Sequence, residues 1–490
     1  MSYLGIDIGS SQVKAVAFDE KGNALASASC KYSYSMPQTG WMELDSDEVM
    51  AAAFKVIGEC AVQVKDSSPV RAIACSSQGE AFSVLDSEGK ALIPAMISGD
   101  CRAAQVIADF TEHFGRERFY QITGHTPSAM FSISKLLWLK ENNREVWDQM
   151  HYCFCFEDLL CFRLTGERAI GYSLAGRTML FDINTHSWSE ELLHEIGMSA
   201  EQLAIPYPSG TAVGVLKGCV AAELGLDHDV QFVTGGHDQI IGALGCGATK
   251  PGTIMYAAGS VECAVPIMAE KVLSRELCEA NLCTYDFALP DCYASVAYSL
   301  TGSNLLEYFT TEIARDEKRD FAAQIADMPE EPSNLLVIPY FTPSGTPYFD
   351  TVTPGTVYGW RFNTSRGELL KGLLEGIGME MRLNFDFLKK SGFTFECLVA
   401  TGGGFRSREV VQLHADILNM PISVCDEKEA GCRGAAMLAQ KALGEGPAIP
   451  PPEILAVVEP REEFVRIYEE KFNRWEMFSR QIRSLSPCLS

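Results

Sequence analysis

No run of about 18 apolar residues occurs in this sequence, so nothing in it reads as a membrane-spanning helix. Zinc-type cysteine spacing is also missing. Among 17 cysteines, Cys153/Cys155 and Cys278/Cys283 lie closest together, and neither makes a C-x-x-C pair or has a partner His pair. Histidine is scarce, at 8 residues, and positive charge is outweighed, with 40 Lys and Arg against 64 Asp and Glu. The resulting charge of −24 repels a phosphate backbone and excludes general nucleic-acid binding. It does not exclude ATP, which one pocket can hold through backbone N–H groups and Mg²⁺. No G-x-x-x-x-G-K-[ST] occurs, and Gly245-Cys246-Gly247 lacks the third Gly of a dinucleotide fingerprint. The opening residues, Met1 to Asp7, place an acid where the apolar core of a secretory leader would run. Free, mostly buried thiols in a reducing cytoplasm are the expectation.

What is present is globular in character. The 490 residues are 47% hydrophobic and 10% aromatic, enough for sizeable cores in two to four domains. The pattern predicts a β-meander over residues 3–8, 13–18 and 24–29, with turns at Gly9-Ser10-Ser11 and at residues 19–23. A helix is predicted over 46–64, with Met50, Phe54 and Ile57 at helical spacing, and a strand over 70–76. Helices dominate residues 99–201, most clearly 130–143 and 156–165. A strand over 231–234 leads through Gly235-Gly236-His237-Asp238-Gln239 into a helix over 240–244. A second strand–turn–strand follows, 253–258 and 262–267 around Gly259-Ser260, which echoes the first meander and suggests two domains of related design. A strand is predicted over 293–299, a helix over 369–388, a strand over 398–401 and a helix over 407–418. From Pro450 regular structure is expected to break. The last helix places Phe464, Ile467, Tyr468, Phe472 and Trp475 mostly on one face, for packing on the body or for a partner.

Four places can carry chemistry. Asp7 lies inside an apolar strand and beside a turn of small residues, so it either caps that turn or holds Mg²⁺ over a phosphate. Asp238 stands at a strand-to-helix junction, as an N-cap or as a general base for a hydroxyl attacking phosphorus. Gly259-Ser260 and Gly402-Gly403-Gly404 with Ser407 are turns where backbone can approach a phosphate or purine, or are merely tight connections.

Taken together, Asp7-Ile8-Gly9-Ser10-Ser11, Gly236-His237-Asp238-Gln239, Gly259-Ser260 and Gly402-Gly403-Gly404-x-x-Ser407 resemble, in order and spacing, the motifs of the FGGY carbohydrate kinases. That family includes xylulokinases, ribulokinases, gluconokinases and glycerol kinases. The segment Met130-Phe131-Ser132-Ile133-Ser134-Lys135-Leu136-Leu137-Trp138-Leu139-Lys140-Glu141-Asn142 is similar to the family's first signature. Gly372-Leu373-Leu374-Glu375-Gly376-Ile377 and Ala415-Asp416-Ile417-Leu418 resemble its C-terminal elements. The resemblance covers about residues 3–440.

It implies an α/β fold of two ribonuclease-H-like domains, of the actin and hexokinase superfamily, flanking a cleft. Residues 1–246 would bind sugar, 247–445 would bind nucleotide, and 446–490 would form a Pro-rich link and the amphipathic helix. The implied reaction is ATP-dependent phosphorylation of a ketose such as xylulose or ribulose, a sugar acid or a polyol. Asp238 matches the catalytic base, and Asp7 with Asp238 the Mg²⁺ site. Gly9, Ser10 and Ser11 match the first phosphate loop, Gly259 and Ser260 the second, and Gly402, Gly403 and Ser407 the adenosine lining, with Gly302 a weaker match beside the nucleotide. Gln78, Gly79, Glu80, Asp100 and Arg102 match sugar-contacting positions.

Three departures bear on the substrate. Gly79-Glu80 stands where xylulokinases usually carry Met-His, and the Arg usual in glycerol kinases is missing there. Ser98 stands where many members carry Trp, which suggests a wider or more polar sugar pocket. Val261 replaces the Ser or Thr usual in the second phosphate loop. Besides Glu80 as a sugar ligand, a solvated surface carboxylate is the alternative there. The expected partners are small molecules only, in the cytoplasm, with homodimers common in the family. A sugar and ATP sensor that keeps the fold without the chemistry is the competing reading. An actin-like or heat-shock ATPase shares the fold but leaves the segment around Lys135 unexplained.

Overall fold

The computed structural model describes residues 1–444 and 449–488. The boundary expected at 445/446 lies outside the described residues. Two compact units are present, and each is assembled from separated stretches of chain. Unit 1 comprises Met1–Thr249, Thr284–Ala294 and Glu429–Pro451, and unit 2 comprises Lys250–Cys283, Ser295–Lys428 and Pro452–Ser490.

The sheet of unit 1 runs in spatial order Ala212–Val215, Gln231–His237, Val70–Ser77, Ser2–Ile8, Gln12–Asp19, Ala24–Lys31. The last three strands are the antiparallel meander. Its second turn forms because the Asp19 carboxylate accepts the N–H groups of Lys21 and Asn23, both at 2.8 Å, while Gly22 takes a positive φ of 82°. Ser2–Ile8, Val70–Ser77 and Gln231–His237 run parallel, so their carboxyl ends lie side by side. In open α/β sheets that edge is where ligands bind.

The helix Ser46–Val64 starts at Asp45, whose side chain accepts from Asp47 and Glu48 N–H, and packs Val49, Ala53, Val56, Ile57 and Cys60 onto the meander. Of the residues at helical spacing, Met50 is buried and Phe54 is only partly so. A second covering helix, Ala430–Leu443, comes from far along the chain. Its close approach requires glycine: a Cβ on Gly5 would lie 1.7 Å from the Cys432 carbonyl oxygen.

Unit 2 has a sheet of the same style. Its spatial order is Ala297–Ser299, Glu262–Met268, Thr253–Ala258, Cys397–Thr401, Ile422–Cys425, Ile454–Val458. Three strands are again antiparallel and two more are added in parallel. Two sequence expectations change here. The strand predicted over 293–299 is two strands, Tyr293–Ala294 and Ala297–Ser299, and the chain passes from unit 1 to unit 2 between them. The tail does not stay irregular after Pro452, because Ile454–Val458 pairs with Ile422–Cys425 as an edge strand.

The final helix, Glu462–Leu485, buries Phe464, Tyr468, Phe472 and Trp475 within unit 2, while Ile467 stays 41% exposed. Its anchor is a charge that patterning did not reveal. Lys471 is buried and pairs with buried Glu375, which also accepts the Tyr468 hydroxyl at 2.8 Å and the Ser333 N–H at 2.9 Å. Removing one partner leaves the other charge uncompensated. Lys471→Met is therefore expected to cost about 3–5 kcal/mol in chemical denaturation of unit 2.

Candidate active site

Pairing register brings the unit 1 acids together. Asp7 sits opposite Ser76, and Ser76 sits opposite Gly236, on three adjacent parallel strands. The Ser76 hydroxyl donates to the Asp7 carboxylate at 2.7 Å. A Cβ on Gly431, in the first turn of Ala430–Leu443, would come within 2.8 Å of Asp7 Oδ1, so that helix start faces the acid. Asp7 therefore does not spend its side chain on the turn that follows it. That turn is held otherwise: the Gly9 carbonyl accepts from the Tyr32 hydroxyl at 2.5 Å and from Gln78 Nε2 at 2.9 Å. Ser10 and Ser11 beyond it are exposed.

Asp238 is reached by a strand that leaves its ladder. The strand expected over 231–234 runs on to His237, and its pairing with Val70–Ser77 slips between Val233 and Gly236. Buried Glu157 takes the Gly235 N–H at 2.7 Å and the Gly171 N–H at 3.2 Å, and the Ser173 hydroxyl oxygen takes the His237 N–H at 3.1 Å. Gly235 has no room for a side chain, since a Cβ would lie 1.9 Å from the Cys75 carbonyl oxygen. Asp238 begins the helix Asp238–Gly245 directly, after His237 as N-cap, and its carboxyl accepts the Gln239 N–H. Surrounding protein pushes its carboxyl up to about 7, first through lost solvation and then through the charges of Asp7 and Glu80. Lost solvation likewise raises Asp7.

Glu80 adopts φ 65°. The Ser132 hydroxyl at 3.0 Å and buried Lys135 at 3.4 Å both donate to its carbonyl, which is what the helix Ser132–Asn142 does for the site. The Glu80 carboxylate is buried, so it is not a solvated surface acid. It pairs with Arg177 and accepts from Ser98 at 2.7 Å. Asp100 and Arg102 are placed differently from Gln78, Gly79 and Glu80. Arg102 forks onto Asp100 and reaches Glu43 at 2.7 Å, its guanidinium lies 3.7 Å above the Trp41 ring, and Asp100 also accepts the Met42 N–H. These two residues set Trp41 in place and have few donors to spare.

Sequence reading missed Arg177, Glu157, Ser173 and Tyr285. The first three lie in ordinary helical text, and Tyr285 is distant in sequence. His237 was quoted only as part of a motif. Its ring lies against Gly79, where a Cβ would meet it at 2.9 Å, and joins the Tyr285 hydroxyl at 3.0 Å to Asp238 Oδ1 at 3.2 Å. Burial and the Arg177 charge hold this imidazole well below its usual range, so it is neutral.

Unit 2 gathers the remaining predicted residues. Gly259 and Ser260 form an exposed turn, and Gly302 packs beneath it, where a Cβ would meet the Gly259 carbonyl oxygen at 2.9 Å. Gly402 has φ 92° and crosses over the Ala258 carbonyl. Gly403 and Ser407 line a pocket of about 450 Å³ with Ser303, Leu306, Phe321 and Arg406. Ser407 also caps the helix Arg408–Leu418 by accepting the Val410 N–H.

The donor set fits a hydrated divalent cation. The Asp7 charge raises the cost of ionising Asp238, and no group of three or more His, Cys, Asp or Glu able to cage a metal occurs among the described residues. Mg²⁺ keeps several waters and needs only one or two carboxylates.

The FGGY family of carbohydrate kinases matches this chain twice, its N-terminal domain over residues 2–245 and its C-terminal domain over residues 263–443. The chain belongs to the FGGY carbohydrate kinases. It is a phosphotransferase of that family. It is 26% identical to a xylulose kinase of Staphylococcus xylosus over 91% of both chains. It is 28% identical to a xylulose kinase of Escherichia coli, over 96% of this chain and 99% of the other. The structure of a xyloylose kinase from Brucella ovis superposes with a TM-score of 0.93 at 27% identity, covering 99% of this chain and 100% of that one. The two-unit α/β architecture is thus that of the FGGY kinases, and no helix among the described residues is long and apolar enough to cross a membrane.

Asp238 also makes a prediction about stability. Its carboxyl titrates near 7 when folded and near 3.8 when unfolded, so the native state keeps a proton that the unfolded chain gives up between those values. Native stability falls as pH rises through that window. In Asp238→Asn this loss is absent. Its thermal midpoint is expected to exceed that of the unmodified protein at about pH 8, and the gap to close below about pH 4.

Proposed function

We propose that this FGGY kinase transfers the γ-phosphoryl group of ATP to a hydroxyl of a sugar, with Asp238 as the general base. A ketose such as xylulose or ribulose is favoured as acceptor over a sugar acid or polyol, because the two relatives named above, matched over 91% and 96% of this chain, are described as xylulose kinases. The observation that carries the reading is Asp238 itself. Its carboxyl is held near 7, and its side chain is 32% exposed. A base with that affinity is matched to taking a hydroxyl proton at neutral pH, a contribution of about 10²–10⁴-fold.

Residues 1–246 would take the sugar and residues 247–445 the nucleotide. Gln78, Gly79 and Glu80 border the base. Glu80 is fixed by Arg177 and Ser98 and offers acceptor oxygens to sugar hydroxyls. Asp100 and Arg102 act on the sugar through Trp41, which they hold. Gly9, Ser10 and Ser11 would offer N–H and hydroxyl donors to phosphate, as would Gly259 and Ser260 with Gly302 behind them. Adenosine would occupy the pocket lined by Gly403 and Ser407, with Gly402 shaping its floor. Mg²⁺, when bound near Asp7 and Asp238, supplies charge neutralisation to the transferring phosphoryl group.

A coupled assay of ADP release with Mg-ATP against pentuloses, hexuloses, sugar acids and polyols tests this. One ketose is expected to stimulate turnover strongly. Asp238→Asn is expected to lower kcat about 10²-fold or more while sugar binding by calorimetry persists. Retention of most of the activity by that variant would remove the base assignment.

A further inference from the structure

Asp238 Oδ1 lies 3.2 Å from a ring nitrogen of its neighbour. Behind it lies His237, and behind His237 lies Tyr285, which comes from a hairpin that pairs Tyr285–Asp286 with Tyr293–Ala294. That hairpin is encoded within the stretch matched by the C-terminal family domain, yet it belongs to unit 1. Tyr285 is 1% exposed, with the His125 ring edge-on to it at 5.3 Å, and a Cβ on Gly176 would lie 3.6 Å from its own Cβ. Its ring position is therefore fixed by packing, with the hydroxyl 3.0 Å from His237 Nδ1.

The chemistry of the three groups assigns each hydrogen. In the state that takes up a sugar proton Asp238 is ionised and can only accept, so the ring nitrogen 3.2 Å from its Oδ1, His237 Nε2, is then the one that carries the proton. A neutral imidazole has one N–H, so Nδ1 is then bare and accepts. The Tyr285 hydroxyl, 3.0 Å from Nδ1, is the matching donor. With the hydroxyl present, the opposite tautomer would turn N–H toward the phenol and a bare nitrogen toward the carboxylate, which is repulsive.

We infer that Tyr285 is a positioning residue for the phosphoryl transfer. Its hydroxyl fixes the tautomer of His237, and His237 thereby turns Nε2–H rather than a bare nitrogen toward Asp238 Oδ1. This rests on Asp238 being the base. The arrangement follows the general logic in which a group behind an imidazole sets which ring nitrogen is protonated. It also explains why Gly79 carries no side chain: the imidazole must lie flat against that backbone to reach both partners.

Tyr285→Phe is the test, because it keeps the packed ring and deletes only the donor. With the sugar identified by the panel, kcat is expected to fall about 10-fold while KM for sugar and for ATP changes less than about 2-fold. In parallel, ¹⁵N-histidine spectra of the protein without sugar or nucleotide report the tautomer of His237, assigned with His237→Gln. Nε2–H is expected in the unmodified protein, with Nδ1–H gaining population in Tyr285→Phe. An unchanged kcat in Tyr285→Phe would overturn the inference, as would a rise in KM alone or a proton found on Nδ1 in the unmodified protein. A purely packing role would leave both readouts unmoved. If Asp238→Asn proves active, the base reading fails, while the tautomer measurement still decides whether Tyr285 orients the His237–Asp238 pair.

Discussion

Between Val233 and Gly236 the strand that leads to Asp238 slips out of register with its parallel neighbour. The Gly235 N–H is then satisfied by a buried carboxylate, Glu157, which also takes the Gly171 N–H. A buried amide left without a partner costs about as much as a lost hydrogen bond, so the bulge exists only because Glu157 and Ser173 complete it. The direction in which Asp238 leaves the sheet, and with it the position of His237, depends on that substitution of side chain for ladder. Glycines at 171, 235 and 236 make room for it.

The charges of the site are arranged unevenly. Glu80, Asp100 and Glu157 each have donors built around them: an arginine for the first two and two backbone N–H groups for the third. Among the described residues Asp7 has the Ser76 hydroxyl as its side-chain donor, and Asp238 has the neutral His237 ring at 3.2 Å. In a chain of net charge −24 those two incompletely compensated acids are costly to ionise. The same imbalance is a strain on the native state that a purely structural protein would lack.

Both meanders, the helix Ser46–Val64 and the short glycine and serine motifs were legible because they depend on neighbours in sequence: alternation, turn chemistry and caps. The end of the strand Gln231–His237 was not, since Gly235 and Gly236 read as a turn and become strand only when Glu157 arrives from elsewhere. The edge strand Ile454–Val458 was hidden for a different reason. Four of its five residues are exposed, so burial imposes no alternation on them. In the site, Asp7 and Asp238 stood out as acids in conspicuous settings, while the Gln78–Glu80 loop, Asp100 and Arg102 were matched by family likeness. Arg177 and Tyr285 sit in text that any helix or strand would tolerate, and their meaning arises from tertiary contact. The tie of Asp100 and Arg102 to Trp41 arises the same way.

The composition of unit 1 has a consequence for how the chain is made. A ribosome that has released the first 249 residues has delivered Asp238, His237 and Glu80, but neither Tyr285 nor the helix Ala430–Leu443 that covers the central strands. Unit 1 thus closes only when synthesis has passed residue 451, after most of unit 2 has emerged. Folding of the two units is interleaved in time, unlike the usual case in which an N-terminal domain folds first. A gene cut at the apparent midpoint would yield the six strands without the helix Ala430–Leu443, leaving apolar faces open to water.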